Sequence, residues 1–352
     1  MKQVFTSAVL AASTALGVAA PHPPKANAEM QAVLDQLSTL DGKPIEKLRP
    51  EEARQQPTPA DAVRALLKKR GQSVAPEAVA KVENRSISGS GGQIPIRIYT
   101  PAGPGPFPVV LYIHGGGWVI ADLDVYDSSP RALANAAKAI VVSTHYRLAP
   151  EHPFPAAHED TFTAYKWVRE NANSFDGDAN RIAVAGESAG GNMAAAISLM
   201  ARDSNVPLPL HQVLIYPVAN TDMNAPSFEE NANAKPLNKA MMEWFATHEF
   251  KKPQDKSDPR IDLVNADLHR LPSTTIISAE IDPLRSGGKR LAEKLKAAGV
   301  DVDYKNYNGV THEFFGMGAV LKEAREATAF AANNLLKAFH KGSDQPTVTD
   351  SK

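Results

Sequence analysis

The chain reads as an α/β protein: a mostly parallel central sheet covered by helices on both faces, with a helical cap. Three observations predict this. Strand-like runs alternate with helix-patterned runs from about Val82 to Phe339. The strand runs are almost continuously apolar, the pattern of strands buried on both faces rather than one. Glycine and proline punctuate the boundaries between runs.

The 352 residues, 43% of them apolar, suffice for one large core with an appended subdomain. With 38 basic and 39 acidic residues the formal charge is -1, so no basic stripe points to nucleic acid and a small near-neutral ligand fits best. There is no cysteine, which excludes structural disulfides, thiol catalysis and a diacylglyceryl lipoprotein anchor.

Residues 1–28 have the pattern of a secretory signal peptide. A weakly basic start is followed by the Ser/Thr-diluted apolar run "VFTSAVLAASTALGVAA", then "PHPP", and Ala26-Asn27-Ala28 offers a small-x-small cleavage site. The alternative is a retained anchor, for which the run is short and weakly apolar. A periplasmic or secreted protein with no membrane span after cleavage is the expectation.

Two helices should follow. Met30, Val33, Leu34, Leu37 and Leu40 recur at helical spacing, with Gly42 as a stop. In "TPADAVRALLKKRG", Thr58 caps, Pro59 opens the first turn, Ala62, Val63, Leu66 and Leu67 form the apolar stripe and Gly71 ends it. The predicted strands are "VENRSISG", "IPIRIYTP", "FPVVLYI", "AIVVSTHYR", "RIAVAGES", "HQVLIYPV", "STTIISAEID" and "VDYKNYNG". Helical runs "AAHEDTFTAYKWVRENA", "GNMAAAISLMARD" and "EATAFAANNLLKAF" interleave with them. Residues 220–250 break this rhythm with a polar stretch and the helix "NKAMMEWFATHEF", the mark of an insertion.

The chemistry centres on "GESAGG", residues 186–191. Gly-x-Ser-x-Gly alone could be a glycine-rich turn with an inert serine. Here it sits between an apolar strand and a helix, the corner that a nucleophile elbow requires, and the Ala189 amide points to where an oxyanion would form. "HGGGW", residues 114–118, follows the strand "FPVVLYI" and supplies backbone amides at Gly115, Gly116 and Gly117 unobstructed by side chains. His114 reads as a turn brace and Trp118 as a pocket wall.

Behind such an elbow the acid and then the histidine follow along the chain. Of the later histidines, His211, His248, His269 and His340 have structural readings, whereas His312 lies in a glycine-containing loop beyond the strand "VDYKNY". Asp282, after "STTIIS" and stopped by Pro283, is the acid, with Glu280 as the alternative. Asp301 and Asp303 fall at the wrong end of the sheet.

In "HGGGW", "HYRLAPEHPFPAA", "GESAGG", "DPLR" and the His312 loop, taken in order, the sequence resembles the hormone-sensitive lipase-like (bacterial family IV) esterases of the α/β-hydrolase superfamily. The resemblance covers roughly residues 80–340. It implies an α/β-hydrolase fold and a Ser188–Asp282–His312 triad. It further implies an oxyanion hole from Gly116, Gly117 and Ala189, with Gly115 shaping the loop, and no cofactor or metal. The cap would come from an N-terminal segment, 29–80, and from the insertion at about 220–250. The catalytic domain would span 81–345, with a disordered tail at 346–352. Two departures stand out: Ser286, where the family often has an acid, and Glu313, where it often has glycine. In "YRLAPEHPFPA", Arg147 and Glu151 are expected to bridge loops beneath the site.

The function so implied is a serine carboxylesterase acting on short-chain acyl esters through an acyl-enzyme. Met241, Trp244 and Phe245, on one face of the inserted helix, would limit chain length. A serine peptidase or amidase on the same fold, or a non-catalytic ligand-binding homologue, are the alternatives. The partner is a small ester, and a homodimer is the assembly left open.

Overall fold

The computed structural model describes residues 24–343. The apolar run of the expected signal peptide and the tail at 346–352 lie outside the described residues. Three helices come first: α1 (Ala28–Ser38), α2 (Pro50–Ala53) and α3 (Pro59–Lys69). Helix α1 begins at the expected cleavage point and is capped by Asn27, whose Oδ1 accepts from the Met30 amide at 2.9 Å. It stops at Ser38, short of Gly42. Helix α3 follows the sequence reading closely. Thr58 and Asp61 form a capping box, and Ala62, Val63, Leu66 and Leu67 are its buried stripe.

The strands are β1 (Lys81–Gly89), β2 (Gly92–Thr100), β3 (Phe107–Ile113), β4 (Ile140–Thr144), β5 (Gly177–Glu187), β6 (His211–Ile215), β7 (Ser273–Ile281) and β8 (Val302–Thr311). They form one sheet in the order β1-β2-β4-β3-β5-β6-β7-β8. The β1–β2 hairpin is antiparallel, β2 runs antiparallel to β4, and every pairing from β4 to β8 is parallel. Between them lie α4 (Ser128–Ala137), α5 (Ala156–Asn171), α6 (Ala189–Asp203), α7 (Pro226–Glu230), α8 (Lys239–Glu249) and α9 (Arg285–Ala297), with α10 (Lys322–Ser343) last.

Strand alternation sorts the core into two layers. Val109, Leu111 and Ile113 of β3 and Val184 of β5 face α5, α6 and α9. Val110, Tyr112, Ala183 and Ala185 face the other way, against α4, α10, α1 and α3. Each central strand therefore needs apolar residues at every position, the near-continuous pattern visible in the sequence. Because the strands from β4 to β8 are parallel, their carboxyl ends share one edge, where ligands bind in open α/β sheets. The elbow, the "HGGGW" loop, Asp282 and His312 all lie on that edge.

Candidate active site

Strand β5 ends at Glu187 and α6 begins at Ala189, leaving Ser188 alone in the corner at φ 57° and ψ -118°. A serine at positive φ is strained, and such strain persists only where the surroundings enforce it. Here its amide donates to the Ile215 carbonyl at 2.9 Å, and its carbonyl accepts from Asn192 and Val218, each at 3.1 Å. Gly190 is required on the next turn, since a Cβ there would collide with the Ile113 and His114 carbonyls. That close approach seats the "HGGGW" loop beside Ser188.

His312 Nε2 lies 2.9 Å from Ser188 Oγ, and His312 Nδ1 lies 2.7 Å from Asp282 Oδ2. The other Asp282 oxygen accepts from the Leu284 amide at 2.8 Å. With Nδ1–H donated to Asp282, the Nε2 lone pair is free to accept the serine proton. All three side chains are buried. Burial works most strongly against the imidazolium, but the Asp282 carboxylate together with Glu313 and Glu187 outweighs it, so the His312 pKa stands above the ordinary histidine value.

His312 follows directly on β8, which runs on through Thr311, rather than sitting in a free loop. Gly309 lies inside the strand at φ 70°, where its carbonyl accepts from the Asn27 amide at 2.8 Å. The β7–β8 pairing slips between Ala279 and Ile281, and past this irregularity the strand delivers His312 towards the elbow. Glu280 turns elsewhere, its Oε2 accepting from the Gly309 amide at 2.7 Å. Helix α7, which the sequence did not single out, grips the acid loop. Ser227 Oγ donates to the Pro283 carbonyl at 2.6 Å, and Asn231 Nδ2 donates to that of Asp282 at 3.3 Å. Ser286 accepts from the Ser227 amide at 3.2 Å.

Among the described residues, no protein group accepts from the amides of Gly116, Gly117 or Ala189, which leaves them available to an incoming oxyanion. Gly117 stands at φ 57°, and a Cβ there would strike the Phe245 ring. His114 is a turn brace: Nδ1 lies 2.8 Å from the Gly115 carbonyl oxygen, Nε2 lies 3.0 Å from His145 Nδ1, and burial lowers its pKa to about 3. Arg147 and Glu151 each bridge to another segment rather than to one another. Arg147 binds Asp160, while Glu151 binds Arg54, which also donates to the Val119 and Ala149 carbonyls. The N-terminal segment is thereby tied to the oxyanion loop.

Trp118, Val218, Phe228, Met242, Phe245, Ala246 and Phe250 line an apolar pocket. Of the residues expected to line a substrate pocket, Trp118 and Phe245 are in its lining, whereas Met241 and Trp244 are not. The buried face of α8 is Met242, Phe245, Ala246 and Glu249, one helical step away. Trp244 instead packs edge-on against His248 and donates its indole N–H to the Leu48 carbonyl at 3.1 Å.

The α/β-hydrolase fold model matches residues 110–316. "Carboxylesterase NlhH" of Mycobacterium tuberculosis is 42% identical over 266 residues, covering 74% of this chain and 83% of that protein. This chain belongs to the α/β-hydrolase family. Among other relatives of this α/β hydrolase, the "Ethyl acetate hydrolase" of Pseudomonas putida is 32% identical, over 83% of this chain and 91% of that protein. The solved hyperthermophilic esterase from the archaeon Pyrobaculum calidifontis superposes with a TM-score of 0.80 at 37% identity, covering 89% of this chain and 98% of that one. The likeness to hormone-sensitive lipase-like esterases, drawn from five motifs, agrees with these matches.

Proposed function

We propose that this α/β hydrolase is a serine carboxylesterase that cleaves short-chain acyl esters through an acyl-enzyme. The observation that carries the reading is the hydrogen-bonded chain from Ser188 Oγ through His312 to Asp282. His312 Nε2 takes the Ser188 proton as Oγ attacks the ester carbonyl carbon. Asp282 keeps Nδ1 protonated and stabilises the imidazolium. The developing oxyanion accepts from the amides of Ala189, Gly116 and Gly117, a donor of this kind contributing about 3 kcal/mol to the transition state. As the tetrahedral intermediate collapses, Nε2–H passes its proton to the departing alkoxide. Water then attacks the acyl carbonyl carbon as Nε2 takes its proton, and the second tetrahedral intermediate expels Ser188 Oγ, which recovers the proton from Nε2–H as the carboxylic acid leaves.

The short-chain preference rests on the bulk of Trp118, Phe245 and Phe250 around the apolar pocket. Each methylene contributes about 0.8 kcal/mol only while apolar surface remains to receive it. The test is kcat/KM across p-nitrophenyl esters of increasing acyl length beside a matched amide. A maximum at roughly two to eight carbons with little amide turnover agrees with the reading. Faster amide cleavage would favour a peptidase or amidase.

The pattern at 1–28 supports an exported protein, which N-terminal sequencing of the mature form would check. No helix among the described residues is long and apolar enough to cross a membrane.

A further inference from the structure

A second cluster of acids lies behind the triad. Glu187, the last residue of β5, accepts hydrogen bonds from the phenols of Tyr112 on β3 and Tyr216 just after β6. Glu313, next to His312, accepts from Tyr126 Oη at 2.6 Å, and its Oε1 lies 3.8 Å from His312 Nε2. Both carboxyls line one cavity of about 30 Å³, shared with Ser128, Ser129 and the apolar residues Pro59, Ala60 and Val63 of α3. Ser129 is buried there beside Glu187 and Tyr112.

Two features set Glu313 apart from ordinary packing. Its backbone holds φ 70°, a left-handed conformation that glycine adopts without steric cost and glutamate does not. A bulky residue kept in such a place, with its acid at the reacting nitrogen, points to a task for the side chain. Further, among the described residues no lysine or arginine bonds to either Glu187 or Glu313. The groups facing them are His312, Asp282 and the phenols of Tyr112, Tyr126 and Tyr216. Two carboxyls in one poorly solvated site without a fixed cation cannot both ionise readily.

We propose that Glu313 is a positioning residue of this site. Held by Tyr126 at the Nε2 edge of His312 and lining one cavity with Glu187, it keeps negative charge beside the imidazole that deprotonates Ser188. Asp282 acts from the Nδ1 side and the acid pair from the other, so the imidazolium formed during acylation is flanked by negative charge on both edges. Burial, followed by repulsion from Glu313, raises the Glu187 pKa to about 7, and burial raises that of Glu313 as well.

The inference rests on the esterase reading for its role in turnover, but its test reads the imidazole directly. The His312 pKa is measured by 15N-imidazole NMR, with the signal assigned through a His312→Gln variant, in wild type, Glu313→Gln, Glu313→Gly and Glu187→Gln. The expected result is a fall of about one unit in both Glu313 variants and a rise in Glu187→Gln, which leaves the whole charge on Glu313. Glu313→Gly, which relieves the backbone strain, separates loss of charge from misfolding, and Glu313→Asp should restore the upshift. An unchanged His312 pKa in the Glu313 variants, or a fall in Glu187→Gln matching theirs, would overturn the proposal. A protein inactive on every ester would count against the esterase reading and leave this result standing.

Discussion

The indole N–H of Trp244 on the inserted helix donates to the Leu48 carbonyl of the N-terminal segment at 3.1 Å. The N-terminal segment and the inserted helix, 196 positions apart in sequence at this contact, are thus fastened to each other. Trp244→Ala should therefore loosen the cap, raising KM and lowering Tm with little change in the acyl-length optimum. Met242→Ala, which opens the pocket wall itself, should move the optimum to longer chains. A chain-length series on both variants checks this, and a longer optimum from Trp244→Ala alone would contradict the assignment.

Asp282 holds the imidazole at 2.7 Å, whereas Glu280 binds the Gly309 amide. Asp282→Asn should lower kcat on the order of 10⁴-fold by spoiling the tautomer. Glu280→Gln retains a carbonyl acceptor for Gly309 and should change kcat only a few-fold. Steady-state kinetics of the two variants, side by side, decide the matter.

The pH profile follows from the direction of the His312 shift. The imidazole must be neutral to take the Ser188 proton, and its pKa is held above the ordinary 6.5. As pH falls through that raised value the base is lost, so kcat/KM should reach half its plateau above pH 6.5. A half-point below pH 6 would contradict the electrostatic account.

Glu249, at the end of α8, is fully buried with neither carboxyl oxygen hydrogen-bonded, and burial raises its pKa to about 9. The folded state binds this proton more tightly than the unfolded chain does. The sign is therefore that Glu249 is neutral and harmless at low pH and costs stability as pH rises between about 4.5 and 9, by at most about 1.4 kcal/mol per unit. Urea unfolding at pH 6 and pH 8 should show a loss in wild type that Glu249→Gln reduces.

Asn27 caps α1 and its amide binds Gly309, in the strand that carries His312. Asn27→Ala should cost about 1 kcal/mol of stability by denaturant unfolding. A chain cut after Ala28 should be destabilised at least as much, because it loses both contacts.

The sheet, the elbow and the placing of Ser188, Asp282 and His312 are legible because Ser188 and Asp282 follow apolar strands and all three lie in motifs whose order along the chain restricts the choices, although the strand before His312, VDYKNYNGVT, is largely polar. Helix α4 was harder to see. It opens "SSP", which resembles a turn, and its buried face combines Leu133 with the small side chains Ala134 and Ala137, giving little apolar contrast. The orientation of α8 was misjudged because Met241, Met242, Trp244 and Phe245 are all apolar. What selects the pocket-facing pair is the segment around Leu48 covering Trp244, a contact no local pattern encodes. Glu313 was visible as a departure from the family pattern. Its meeting with Glu187, Tyr112, Tyr126 and Tyr216 was not, since the ends of several different strands bring those groups together.

On the proposed mechanism Ser188 is the nucleophile, with His312 Nε2 2.9 Å from its Oγ. The most direct test is covalent labelling with a fluorophosphonate, located by peptide mass spectrometry, on wild type and on Ser188→Ala. Wild type should be modified stoichiometrically at Ser188 with complete loss of ester hydrolysis, and a folded Ser188→Ala protein should show neither labelling nor hydrolysis. Labelling at another residue, or wild-type turnover by the Ser188→Ala variant, would contradict it.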